Sequence, residues 1–178
     1  MRGPLLAATL ALALAMTGGA CMLSVEADVP DVEVTQHDIG FEGVPFGATL
    51  GDVSTGKSFT QERPLDLPKA LDSSVQAVKV ELHAKSGIKD FDFLRALRIT
   101  MAPTDSTAEP VELINYEKKD GAIVGATLSI PSKNPVNILE QWKTDKAVFN
   151  VQVAGTLPEK AWAIDMVVHF AGKISYKY

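Results

Sequence analysis

The chain is poor in cysteine and histidine and has no excess of positive charge. Of its 178 residues, one is cysteine, Cys21, and three are histidine. A single cysteine excludes both an intrachain disulfide framework and a cysteine-rich zinc site. The 17 Lys and Arg residues stand against 22 Asp and Glu residues, which gives a formal net charge of -5. Such a chain has no general attraction for phosphate backbones, so nucleic acid is not expected as a partner.

The rest of the composition is that of one folded domain. Hydrophobic residues make up 46% and charged residues 22% of the chain, which is enough apolar material for a packed core and unlike a disordered polymer. The length suits a single domain of ordinary size. The sequence contains no internal repeat, low-complexity stretch or linker that would indicate a second domain.

The N-terminal segment has the pattern of an export signal. Arg2 precedes an uncharged apolar run over residues 5–16, and the small residues 17–20 follow it. A positive end, an apolar run and a small-residue cleavage site predict a secretory signal peptide over residues 1–20. The alternative is an uncleaved membrane anchor, because residues 3–25 carry no charge and a span needs about 20 apolar residues. The paired glycines in this segment weaken that alternative.

The lone cysteine stands directly after the expected cleavage site. Ala20 before Cys21, with the apolar run upstream, resembles the lipobox of bacterial lipoproteins. The resemblance covers the signal region alone. It implies a diacylglyceryl group on the thiol of Cys21 and a cell-envelope location, and Met22 in the next position implies the outer membrane. Ordinary signal peptidase is the alternative, since Gly18 and Ala20 also suit it, and it would release a soluble protein with a free thiol.

The expected chain organisation has three parts. Residues 1–20 are the signal peptide, residues 21–30 are a lipid-anchored tether, and residues 31–178 are the folded domain. The nine steps of the tether (30 − 21 = 9) reach at most ~30 Å when extended. The membrane is therefore one expected partner, through the lipid, and an envelope protein or a glycan close to the membrane is the other candidate.

Alternation of apolar and polar residues with a period of two is the dominant pattern of the domain. It is strong in four segments: 78–84, 97–101, 149–153 and 162–178. In each of them one face is predicted to be buried and the other hydrated. Shorter candidate strands lie at 32–36, 46–50, 111–116 and 122–130.

Turn residues separate these segments, and helical pattern is scarce. Gly172 predicts a bend or bulge in the last strand, and Asp120-Gly121 predicts a hairpin between its flanking strands. Short helical turns are expected after Asp90 and within residues 136–142. Seven or eight short strands without crossover helices predict an all-β fold. The expected architecture is an antiparallel β-sandwich, immunoglobulin-like or jelly-roll, with one or two short helical turns.

Residues 51–58, GDVSTGKS, fit the phosphate-loop pattern. That chemistry needs a buried parallel strand before the loop and a helix after it, whose N-terminal amides hold the phosphates. The residues after Ser58 are too few before Pro64, and too polar, to form that helix. A loop with a solvated Lys57 is expected, and no nucleotide partner.

The three histidines, His37, His83 and His169, do not have the spacing of a metal site. No two of them are two or four residues apart, so ordinary surface residues are expected, with no metal and no cofactor. His37 and Asp38 are predicted to lie in a loop at a strand end. On the last strand, Asp165 and His169 are predicted to point to the same outward face, about 13 Å apart along the strand.

No residue pattern predicts nucleophilic catalysis. The Gly-x-Ser-x-Gly motif is absent from the sequence, and Asp90 and Asp92 fit a role in capping a helical turn. The sequence therefore predicts no catalytic residue. An exported hydrolase or metal-dependent enzyme with a site built from loops stays the alternative.

Three residues are candidate ligand contacts: Trp142, His37 and Tyr116. Trp142 lies in a connection, off the regular alternation, where it either forms part of an exposed binding rim or plugs the open end of the sandwich; the plug is favoured. Tyr116 ends a strand before a charged run. The sequence as a whole favours an exported, membrane-anchored lipoprotein whose domain is a non-catalytic binding or structural module.

Overall fold

Eight strands form two antiparallel sheets in the computed structural model, which describes residues 24–45, 53–64, 73–104, 109–133, 136–142 and 145–177. The strands are β1 (Ser24–Phe41), β2 (Val53–Glu62), β3 (Ser73–Ser86), β4 (Leu94–Pro103), β5 (Val111–Glu117), β6 (Thr127–Pro131), β7 (Lys146–Gly155) and β8 (Trp162–Lys177). One turn of 3-10 helix, Leu139–Trp142, precedes β7. The predicted all-β sandwich with a short helical turn is confirmed.

Each of the two sheets contains four strands. Sheet A has the order β1-β8-β3-β6, and sheet B has the order β2-β7-β4-β5. The pairs β1 with β8, β2 with β7, β3 with β6 and β4 with β5 are nested, as in one long hairpin that has been rolled into two layers. This is the jelly-roll arrangement, one of the two kinds of sandwich that the alternation predicted.

The core lies between the sheets and is built from alternate positions of the strands. In β8 the inward side chains are at most 2% exposed: Trp162, Ile164, Met166, Val168 and Phe170. In β7 the same holds for Phe149, Val151 and Val153. Each large apolar side chain that is fully buried contributes roughly 1.5–3 kcal/mol, so these inward faces hold the two sheets together. The predicted parity is confirmed for β7 and for β8 as far as Phe170, and the side chains expected to continue it at 174, 176 and 178 lie outside the described residues.

The alternation predicted for residues 78–84 of β3 is wrong at Val78. Val80 is buried as expected, but Val78 is 38% exposed. The pairing of β3 with β8 has a register shift between Ala77 and Lys79, which is a β-bulge. The extra residue reverses the alternation, so Ala77 faces the core and Val78 does not.

Strand β1 begins earlier than the sequence predicted and extends into the expected tether. It pairs with β8 from Ser24, opposite Lys177, to Phe41, opposite Trp162. Residues 24–30 are therefore strand, and only three residue steps separate Cys21 from the fold (24 − 21 = 3). Cys21 itself, the expected signal peptide 1–20 and the candidate strand 46–50 lie outside the described residues.

The turn at Asp120-Gly121 does not close the predicted hairpin. The flanking strands β5 and β6 lie in different sheets, because in a jelly roll this connection crosses from one layer to the other. β6 accordingly begins at Thr127 and not near residue 122. Gly172 does lie next to a bulge, which is in β1 between Val29 and Val32.

Candidate functional site

The outer face of sheet A carries groups of titratable side chains that contact one another. Strands β1, β8 and β3 are neighbours in this sheet, and all three histidines of the chain lie on its outer face. Sequence spacing did not predict this, because residues 37, 83 and 169 are brought to one face only through strand pairing. Their acidic neighbours form two clusters, one around His169 and one around Asp165.

The His169 cluster consists of Asp31, Glu33, Glu81 and His169. The His169 side chain is 8% exposed although it points away from the core. Its Nδ1 lies 3.5 Å from Asp31 Oδ2 and 3.4 Å from Glu33 Oε1, and its Nε2 lies 3.9 Å from Glu81 Oε2. Neither ring nitrogen has a hydrogen-bond partner. The imidazole is thus buried beside carboxylates whose oxygens lie farther from its nitrogens than in a usual N–H···O hydrogen bond.

Lys79 holds the carboxylate of Glu81 in its ionised form. The Lys79 ammonium donates a hydrogen bond of 2.8 Å to Glu81 Oε1. This bond is the largest cause that lowers the pKa of Glu81 from its ordinary 4.5, and the charge of Lys79 and the nearby His169 and His83 add to it. The same bond raises the pKa of Lys79. Glu81 Oε2 then lies 3.8 Å from His83 Nε2 and 3.9 Å from His169 Nε2, so one anion faces two imidazoles.

The Asp165 cluster holds a bulge of β1 in place. The pairing of β1 with β8 shifts register between Gln36 and Ile39, and Asp38 has a positive φ of 56°. Its backbone N–H donates a hydrogen bond of 2.8 Å to Asp165 Oδ1. His37 and Asp38 therefore lie in a bulge inside a strand, and the loop expected for them at a strand end is wrong. The bulge is the physical reason, because it interrupts the alternation without ending the strand.

Two further side chains complete the Asp165 cluster. Lys85 Nζ lies 2.9 Å from Asp38 Oδ1 and 3.3 Å from Asp165 Oδ1. His37 Nδ1 lies 3.2 Å from Asp165 Oδ2, and the His37 side chain is 67% exposed. The hydrogen bond from Asp38 is the largest cause that lowers the pKa of Asp165 from its ordinary 3.8, and those from His37 and Lys85 lower it further.

We expect Asp165→Asn to reduce the acid sensitivity of the fold. A carboxyl group with a lower pKa in the folded than in the unfolded state stabilises the fold above its unfolded pKa, and this contribution is lost as the pH falls through the folded pKa. Between about pH 5 and pH 3 the wild type should therefore lose up to about 1 kcal/mol more unfolding free energy than the variant. Urea titrations at several pH values measure this. Asp120→Asn, in an exposed turn, is the control and should lose stability as the wild type does; equal losses in all three proteins would contradict the assignment.

The candidate ligand contacts predicted from sequence are not brought together. Trp142 is 1% exposed, and its ring packs at 5.4 Å from Phe170 and 6.2 Å from Phe149. The favoured plug is confirmed, and Trp142 as a surface ligand contact is wrong because its ring is buried between the two sheets. Tyr116 is half-buried on β5, in sheet B, so it does not share a face with His37.

Two other sequence motifs have structural roles. Gly56, Lys57 and Ser58 lie within β2, which pairs antiparallel with β7, so this segment is a strand and neither the expected loop nor a phosphate loop before a helix. The Asp92 N–H donates a hydrogen bond of 3.1 Å to Asp90 Oδ1, which confirms the capping role of Asp90. The Asp92 carboxylate accepts hydrogen bonds from the Val124 N–H and from Lys118.

Comparisons with known proteins add little to this description. The chain matches no protein-family model and no curated protein. Among solved structures it is similar to a chain of Desmodium yellow mottle tymovirus, at 10% sequence identity and a TM-score of 0.29, over 96% of this chain and 97% of that chain. At this level the likeness carries no functional inference, and the jelly-roll assignment rests on the strand pairing. Within the described residues, no helix has the length and apolar character that crossing a bilayer requires.

Proposed function

We propose that this protein is an exported lipoprotein of the cell envelope whose jelly-roll domain is a non-catalytic binding or structural module. The observation that carries the proposal is the position of Cys21. This lone cysteine follows a segment with the pattern of a signal peptide and precedes the first strand by three residues. A reactive thiol at that one position is accounted for if it is the site of lipid attachment.

Because β1 begins at Ser24, a lipid on Cys21 would hold the domain close to the membrane. Three residue steps span at most about 11 Å, so a lipid on Cys21 would hold the end of sheet A where Ser24 pairs with Lys177 close to the lipid headgroups. Several acyl chains, at ~0.8 kcal/mol per buried methylene, make such attachment effectively permanent. The domain would have little freedom to move away from the membrane.

The outer face of sheet A is the surface that we propose for binding. Glu33 lies nine residues beyond Ser24 on β1 (33 − 24 = 9), which is about 30 Å along an extended strand. The His169 and Asp165 clusters would therefore lie well beyond the anchored end of the sheet. Their charged and hydrogen-bonding groups suit a polar partner, an envelope protein or a glycan, at that height above the membrane.

Intact mass of the membrane-extracted protein tests the anchor. After expression in a bacterial host with a lipoprotein pathway, the wild type should begin at Cys21 and be heavier by a diacylglyceryl group and one acyl chain. Cys21→Ala should lose both the added mass and the cleavage at this position, because the thiol is the acceptor. Met22→Ala, which changes the neighbouring residue, should keep both. An unmodified, soluble wild-type chain with a free thiol would overturn the proposal and support a secreted protein.

A further inference from the structure

His169 is a buried imidazole without a hydrogen-bond partner. Its side chain is 8% exposed, and both ring nitrogens are buried and unpaired. Buried polar side-chain atoms nearly always have at least one partner, and an exception calls for an explanation such as a bound ion or water. The neighbours of Nδ1 are two carboxylate oxygens, from Asp31 and Glu33. The surroundings of this nitrogen are therefore those of a cation site.

The distances around Nδ1 fit a metal ion better than a hydrogen bond. The separations from Nδ1 to the two oxygens are 3.5 Å and 3.4 Å, longer than the usual 2.7–3.2 Å of an N–H···O bond. Bonds of about 2.0–2.2 Å at tetrahedral angles place neighbouring ligand atoms about 3.3–3.6 Å apart. One ligand atom from each of the three residues lies within 4.8 Å of the other two. The exposed side chains of Asp31 and Glu33 can rotate, so that their oxygens reach the separations which a small cation requires.

We propose that Asp31, Glu33 and His169 bind a divalent transition-metal cation, with Nδ1 of His169 and one oxygen of each carboxylate as ligands. One imidazole and two carboxylates suit Zn²⁺ and its neighbours, whereas Ca²⁺ and Mg²⁺ prefer oxygen ligands alone. Asp31 and Glu33 are 59% and 60% exposed, so a cation can enter from solvent. Three protein ligands leave a fourth position of a tetrahedral ion for water.

Glu81 is the positioning residue of this site. It lies on the Nε2 side of the ring, at 3.9 Å, opposite to the proposed ligand atom. A carboxylate that accepts the second N–H of a metal-bound histidine fixes the tautomer and leaves the other nitrogen free to bind metal. Lys79 keeps Glu81 anionic through their hydrogen bond. The site therefore has three ligand atoms and, 3.9 Å from Nε2, a carboxylate that would have to move about 1 Å closer to accept the second N–H. It does not depend on the lipid anchor.

Zinc titration of the purified full chain tests the proposal. Any free thiol of Cys21 is first alkylated with iodoacetamide, and binding of Zn²⁺ is followed in competition with a chromophoric chelator. The wild type should bind one equivalent and gain thermal stability. Asp31→Asn/Glu33→Gln should lower the affinity by roughly 100-fold or more, since two ligands are lost, while Glu81→Gln should lower it by about 10-fold.

The matched control removes the same negative charge elsewhere. Asp28→Asn/Glu62→Gln takes one carboxylate from β1 and one from β2, both outside the cluster, and should bind Zn²⁺ as the wild type does. Asp31 and Glu33 are surface residues, so without zinc the melting temperatures of both double variants should stay near that of the wild type. In a ¹⁵N-correlated NMR spectrum zinc should shift Nδ1 of His169 more than Nε2. Absence of saturable binding, or equal affinity in the two double variants, would overturn the proposal.

Discussion

Replacing Trp142 with alanine should lower the free energy of unfolding by about 3–5 kcal/mol, as truncation of a large buried aromatic side chain does. The residue is 1% exposed and ends the 3-10 helix. Its ring contacts Phe149 of β7 in sheet B and Phe170 of β8 in sheet A. Removing it leaves a cavity that touches both layers, and neither sheet can close that cavity alone. Urea unfolding followed by far-UV circular dichroism measures the loss.

Two further variants separate packing from other effects. The indole Nε1 of Trp142 has no hydrogen-bond partner, so Trp142→Phe removes an unsatisfied donor along with some apolar area and should cost less than about 1.5 kcal/mol. Ile123→Ala changes an apolar side chain that is 88% exposed and should stay within about 0.5 kcal/mol of the wild type. If Trp142→Ala cost no more than Ile123→Ala, the ring would not be the plug of the sandwich.

Gly87→Ala should lower the free energy of unfolding by about 3 kcal/mol or more. Gly87 has a φ of 76°, a conformation that side chains of L residues rarely adopt. A Cβ at this position would collide with the carbonyl oxygen of Ala161 and lie 2.8 Å from Cα of Trp162. Both contacts are to backbone at the start of β8, so the strand would have to shift.

Gly121→Ala is the matched comparison. Gly121 has a φ of 75°, and a Cβ there would meet nothing within 4 Å. The two variants share the strain of the left-handed conformation, about 1–2 kcal/mol, and differ in the collision alone. The difference between their unfolding free energies therefore measures the collision with β8. Equal losses would show that the chain around Gly87 moves aside without cost.

Alternation predicted the strands that bury one complete face. β4, β7 and β8 were found because every second residue is apolar and packs in the core. β2 was taken for a loop because it is an edge strand that pairs with β7 alone. Its side chains are partly buried or exposed, so Gly, Ser and Lys are tolerated in it and the apolar pattern is weak.

The clusters on the outer face of sheet A were beyond the reach of sequence spacing. Glu33 and Lys79 lie beside His169 because each is the register partner of His169, on β1 and on β3 respectively. A register set by bulges cannot be read from alternation, since each bulge shifts the pairing of all residues after it. The one available signal was acidic residues spaced by two, Asp31 and Glu33, on a strand. It becomes specific only when β8 is known to lie beside β1.

The nesting of the strands also determines when the domain can form. β1 has no partner in its sheet other than β8, the final 16-residue strand, so its pairing must close a loop of nearly the whole domain. Contacts of such sequence separation form slowly and late. A channel that passes the chain N-terminus first delivers β1 at the beginning and β8 at the end. The β1–β8 pairing could therefore not form until β8 had followed β1 through such a channel.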